Sequence, residues 1–156
     1  HLLDLGYEVA LLLDTDKPAP ANLINSVKEK GGTVMEWTGT CSTEERIFLD
    51  VPWDTAIALV KYAEECEGID SVRDNINNAC KAQSLTEISD LTLPKILDTE
   101  NFRRAIGVAA KNKNSHWFKD ITRGEQLAKI IAPCLNKMSE KPLAKTIFNL
   151  REWVDA

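Results

Sequence analysis

From Val9 the chain is apolar without a break to Leu13, then turns abruptly into Asp14-Thr15-Asp16-Lys17-Pro18. A short unbroken apolar run bounded by turn residues predicts a buried parallel strand, and Gly6 on one side with Pro18 and Pro20 on the other supplies the bounds. Ala19 to Lys30 changes to helical spacing: Leu23, Ile24 and Val27 share a face, Lys28 and Lys30 lie outside it, and Gly31-Gly32 stops the helix. Thr33-Val34-Met35-Glu36-Trp37 reads as a second strand. Strand, helix, strand over this length predicts a right-handed βαβ crossover with two parallel strands.

Downstream the spacing is helical throughout. In Thr38-Gly39-Thr40-Cys41-Ser42-Thr43-Glu44-Glu45-Arg46, Ser42 or Thr43 suits a helix N-cap, and Glu44 and Glu45 suit the first turn by the helix dipole. Ile47-Phe48-Leu49 leads to Asp50-Val51-Pro52-Trp53. Asp54 to Glu65 then carries Ile57, Ala58, Leu59, Val60 and Tyr62, and after Gly68 the segment Ser71 to Ala82 carries Val72, Ile76, Ala79 and Cys80. From Ser84 to Pro94 the chain is a polar connection with spaced aliphatics, which places an organisational boundary there: 1–83 an α/β core, 84–156 a helical extension packing on it. Asp98-Thr99 caps a helix to about Ala110, Lys111-Asn112-Lys113-Asn114-Ser115 is a basic polar break, and Trp117-Phe118-Lys119 opens the next feature. A helix then starts at Thr122 or Gly124 and runs through Leu127, Ile130 and Ile131 to Pro133. Pro142 to Val154 is the last helix, its stripe of Leu143, Ile147, Leu150 and Trp153 serving as core or partner contact. The fold class is α/β, a parallel sheet flanked by helices with a helical C-terminal extension.

Composition narrows the function classes. The 156 residues fit one domain, or one domain with an appended half, and 44% hydrophobic with 28% charged content is that of a soluble globular protein. No segment is long and apolar enough for a transmembrane helix and no signal peptide opens the chain, so membrane association is not expected. The net charge of -5 argues against a small basic nucleic-acid-binding domain, although bound metal and local lysines reverse the sign at a site. Cys41, Cys66, Cys80 and Cys134 lack C-x-x-C spacing and the chain has 2 histidines, which argues against a zinc site and points to reduced cysteines in a cytoplasmic protein. The opening His1-Leu2-Leu3-Asp4-Leu5-Gly6 reads as the last turn of a helix, so the chain is expected to be a piece of a longer protein.

The chemistry concentrates where the first strand ends. Sites in open α/β sheets lie beyond the carboxyl ends of the strands, which puts Asp14 and Asp16 on the functional edge. Two carboxylates one residue apart repel unless a cation or proton neutralises them, and Mg²⁺ or Mn²⁺ takes such oxygen donors. Capping and turn formation explain the same residues without a ligand. The loop carrying Glu44 leaves from the same edge.

Taken together, Asp14-Thr15-Asp16, Ser42-Thr43-Glu44-Glu45 and Trp117-Phe118-Lys119 resemble the Toprim nuclease module of the OLD (overcoming lysogenization defect) family of ATP-dependent endonucleases. The resemblance covers most of the chain on short motifs. It implies a Toprim-like sheet, divalent metal on Asp14 and Asp16, Glu44 completing the ligand shell or orienting water with Glu45 as the weaker alternative, and Lys119 as the catalytic lysine ahead of Arg123, Lys111 and Lys113. It further implies DNA as substrate and the ATPase half of the same parent chain as partner; homo-oligomerisation is left open. The family's first strand, which carries a catalytic Glu, is missing upstream of His1, and no G-x-x-x-x-G-K-[ST] occurs, so the piece is expected to lack one acid and to be inactive by itself. Other readings compete. A haloacid-dehalogenase-like phosphatase also ends a strand in Asp-x-Asp, but Pro18 stands where that family has Thr or Val, and a phospho-receiver arranges its acids differently. A non-catalytic α/β interaction module would use the acids only as caps.

Overall fold

The expected βαβ unit forms. The strands β1 (Ala10–Leu13) and β2 (Thr33–Glu36) run parallel, Ala10 opposite Thr33 through Leu13 opposite Glu36, with the helix α1 (Ala21–Glu29) between them. The computed structural model describes residues 1–112 and 117–156, and the chain is α/β, 62% helical with a small two-stranded parallel sheet. The Gly31-Gly32 stop has a steric reason at each residue. Gly31 sits at φ +84°, and a Cβ on Gly32 would lie 2.6 Å from Val27 Cγ1 and 3.0 Å from the Val27 carbonyl oxygen. The opening turn is a 3₁₀ helix (Leu3–Leu5) ended by Gly6 at φ 82°, which bears out the helical-stop reading of that segment.

Burial departs from expectation in this unit. No residue of β1 or α1 is buried; Leu12 is 46% exposed and Leu23 59%. Parallel strands become fully buried when neighbours and helices cover both edges and faces, and among the described residues β1 pairs with β2 alone. The strand β2 is packed by α1 and by the last helix, α7 (Pro142–Val154), in which Leu143, Ala144 and Thr146 are buried.

The chain folds as two compact units, one of His1–Ser42 with Glu140–Ala156 and one of Thr43–Ser139. The helix α7, expected in an extension beginning at residue 84, thus belongs with the sheet. The second unit is helical: α2 (Thr43–Asp50), α3 (Trp53–Glu67), α4 (Ile69–Ala82), α5 (Glu100–Lys111) and α6 (Ile121–Ile131), followed by a 3₁₀ segment (Ala132–Met138). Helix α5 lies against α2 and α4, and α3 against α4 and α6, around a core of Phe48, Leu59, Val72, Ile76, Ile106 and Trp117. The expected boundary near Ser84 falls inside this unit, because α4 and α5 on its two sides pack together. The polar connection is strapped to α4 by Asn77, whose amide donates to the Ile88 carbonyl (3.0 Å) and accepts from the Ile88 N–H (2.8 Å). Two helix starts, those of α5 and α6, follow side-chain capping. Thr99 accepts from the Phe102 N–H and Asp120 from the Arg123 N–H, which moves the start of α6 ahead of Thr122.

Asp98 gives this unit an acid-sensitive joint. Its carboxylate pairs with Arg103 and with Lys95 at 2.5 Å, and the hydrogen bond from Arg103, opposed by burial and aided by the Lys95 contact, holds its pKa below the ordinary 3.8. A carboxyl depressed in the folded state contributes stability that is complete above its unfolded pKa and is lost as pH falls through the folded one. Urea midpoints measured from pH 6 downwards are expected to fall below about pH 4 in the native chain and to fall less steeply in Asp98→Asn. Parallel pH profiles for the two would show that Asp98 is not a source of the acid sensitivity.

Candidate functional site

The first unit presents the two acids as the sequence places them, past the carboxyl end of β1, with Asp14 exposed and Asp16 half-exposed. Thr15 between them is laced to the loop that follows β2. Its N–H donates to the Cys41 carbonyl at 3.2 Å. Its hydroxyl donates to the Gly39 carbonyl at 2.5 Å and accepts from the Cys41 N–H at 3.2 Å. The carboxyl ends of both strands are therefore tied together by the residue that separates the two aspartates. Gly39 reaches this contact at φ 85°, a backbone conformation that suits glycine. The one sequence signal for Thr15 is its place between two acids at a strand end.

Among the described residues no three His, Cys, Asp or Glu side chains gather into a group able to hold a metal ion. The acids on this edge are Asp14 and Asp16. That still fits Mg²⁺ chemistry, since this ion keeps several waters and is commonly held by one or two carboxylates.

Glu44, Glu45 and Lys119 belong to the second unit. Glu44 is half-buried in the first turn of α2. Glu45 beside it is buried, its Oε2 2.8 Å from Lys111 Nζ and its Oε1 4.0 Å from an Arg104 guanidinium nitrogen. The crossing of α2 and α5 is close at this point because α5 carries Gly107 there: a Cβ on Gly107 would stand 2.5 Å from Glu45 Cα. Lys119 is exposed and its ammonium donates to the carbonyls of Lys111 (2.7 Å) and Asn112 (2.9 Å), the end of α5. Of the alternative cations, Arg123 is paired with Glu67 and, at 3.1 Å, with Asp120; the hydrogen bond to Glu67 holds its guanidinium above the ordinary value. Lys113 lies outside the described residues.

Trp117 anchors the segment that delivers Lys119. It is fully buried, edge-on to Phe48 at 6.4 Å between centroids, while Phe118 stacks on Tyr62 at 6.4 Å. An open hollow of about 760 Å³ adjoins Lys119, lined also by Tyr62, Cys66, Asp120 and the start of α6. A hydrogen bond with Cys66 pushes the Tyr62 phenol above its ordinary pKa.

Compared with known proteins, the chain matches no family model, no curated protein and no solved structure. No helix among the described residues is long and apolar enough to cross a membrane.

Proposed function

We propose that the chain is the nuclease part of a divalent-metal-dependent endonuclease of the OLD type, acting on DNA phosphodiesters and working with an ATPase half of the same parent protein. The observation that carries this reading is the edge of the parallel βαβ unit, where Asp14 and Asp16 follow β1 and Thr15 fastens their turn to the loop after β2. Fastening matters because paired carboxylates capture a hard cation best when the turn bearing them is already fixed before binding.

In this reading Asp14 and Asp16 supply the charged oxygens for Mg²⁺ or Mn²⁺. Such an ion, when bound, lowers the pKa of a bound water and offsets charge on the leaving oxygen. The resemblance also implies a part for Glu44, in the ligand shell or in orienting the water. The Lys119 ammonium has three donors and spends two on carbonyls, which leaves one to meet a phosphate oxygen as negative charge develops.

Titration with MnCl₂ by calorimetry checks the central claim. Asp14→Asn/Asp16→Asn is expected to weaken Mn²⁺ binding at least about tenfold, the least that losing both carboxylates from a two-acid site allows. In the parent protein the same pair of changes is expected to abolish nicking of supercoiled plasmid. Equal Mn²⁺ affinity in native and doubly substituted chains would retire the nuclease reading and leave the acids as caps.

A further inference from the structure

The two lysines at the end of α5 are connected, and the connection starts at a buried acid. Lys111 is the last residue of α5, so its carbonyl is one of the four at a helix end without a helical partner. That carbonyl and the next one seat the Lys119 ammonium. Terminal turns of helices fray, and a seat built from terminal carbonyls is only as fixed as the turn that bears them. Here the Lys111 side chain runs the other way, to Glu45 Oε2 at 2.8 Å. Glu45 cannot drift, because it is buried and its own backbone is wedged against Gly107 one helical turn back along α5.

We propose that Glu45 is a positioning residue for Lys119, acting through Lys111. The buried carboxylate holds the Lys111 side chain, the held residue keeps the last turn of α5 closed, and the closed turn presents two carbonyls to Lys119. Glu45 is then not a weaker stand-in for Glu44 as a metal ligand; it sets where the third Lys119 donor points. The relay itself stands on contacts within the second unit. Its consequence for phosphodiester cleavage rests on the function proposed above.

Competitive acetylation of the whole chain with sulfo-NHS-acetate, read by peptide mass spectrometry, tests the relay without metal or DNA. Seated on two carbonyls, Lys119 is expected to react more slowly than the exposed Lys61 of α3. Glu45→Gln and Lys111→Met are each expected to speed Lys119 acetylation by about fivefold, the ratio that corresponds to one net hydrogen bond, with Lys61 unchanged. The double variant is expected to match the single ones, because both changes cut one relay. Lys119 rates within about twofold of the native chain in both single variants would overturn the proposal, that spread being well below one hydrogen bond. Should Glu45→Gln speed every lysine together, through unfolding, Lys111→Met decides alone, since its side chain is one-third exposed and its loss leaves no buried gap. A selective Lys119 response together with Mn²⁺ binding indifferent to Asp14→Asn/Asp16→Asn keeps the relay and removes the nuclease reading.

Discussion

Gly107→Ala is expected to destabilise the chain by about 1–3 kcal/mol, although alanine is the better helix former by about 1 kcal/mol. The added methyl would lie 2.5 Å from Glu45 Cα, 3.0 Å from Glu45 N and 3.1 Å from Glu45 Cγ. Two of those three atoms are backbone of the first turn of α2, so no side-chain rotation relieves the overlap. The helices α2 and α5 must part, and parting them stretches the Glu45–Lys111 pair that crosses the same point. Calorimetric melting is expected to show a fall of several degrees, at about 2–4 °C per kcal/mol for a chain of this size. Gly124→Ala supplies the contrast: a Cβ there meets nothing within 4 Å, in a helix interior, so that change is expected to be neutral or to stabilise by up to about 1 kcal/mol. If the two alanine variants melt together, the close crossing is not a constraint in solution.

The second large effect is expected at Arg103. One guanidinium nitrogen donates to the carbonyls of Phe48 (2.8 Å) and Val51 (2.7 Å) at the end of α2, and Nε pairs with Asp98. The planar group also lies over Trp53, 5.3 Å from the ring centroid. Arg103 and Asp98 are 13% and 15% exposed, so water replaces little of what is removed. Arg103→Met fills much of the same volume but removes the donor of two helix-end carbonyls and one of the two cations on the Asp98 carboxylate, a loss of about 2–4 kcal/mol. Arg103→Lys is expected to recover only part of this, because a point-charged ammonium lacks the fork that serves three acceptors and the plane that covers an indole. Urea denaturation measures both, and a loss under about 1 kcal/mol in Arg103→Met would show that the clamp is replaceable.

How much of this was legible beforehand differs by level. Element identity was legible nearly throughout, because the period of apolar positions changes from unbroken at Val9–Leu13 to helical at Leu23–Val27 and again at Ile57–Tyr62. Helix starts shifted by one or two residues, at α6 because Asp120 caps earlier than expected and at α1, α3 and α4 with no side-chain cap. The grouping of elements was not legible. The polar stretch from Ser84 to Pro94 has the composition of a linker, yet Leu91 and Leu93 are buried and Asn77 straps it down. Likewise the stripe on α7, of which Leu143 is buried, did not say that α7 would lie against β2.

At the candidate site the same division holds. The acidic strand end at Asp14 and Asp16 was readable from the residues alone, because carboxylates directly after an apolar strand are a local pattern. So was the parallel sense of the sheet, since a helix separates the two strands. Only the tertiary structure decided that Thr15 binds the loop after β2, that Glu45 faces inward on Lys111, and that Lys119 is seated on the end of α5. Those contacts join residues 24, 66 and 8 positions apart. A hydrogen bond or ion pair depends on distances of about 3 Å between atoms, which only the packing of whole elements sets, whereas periodicity and capping are read within one turn of chain.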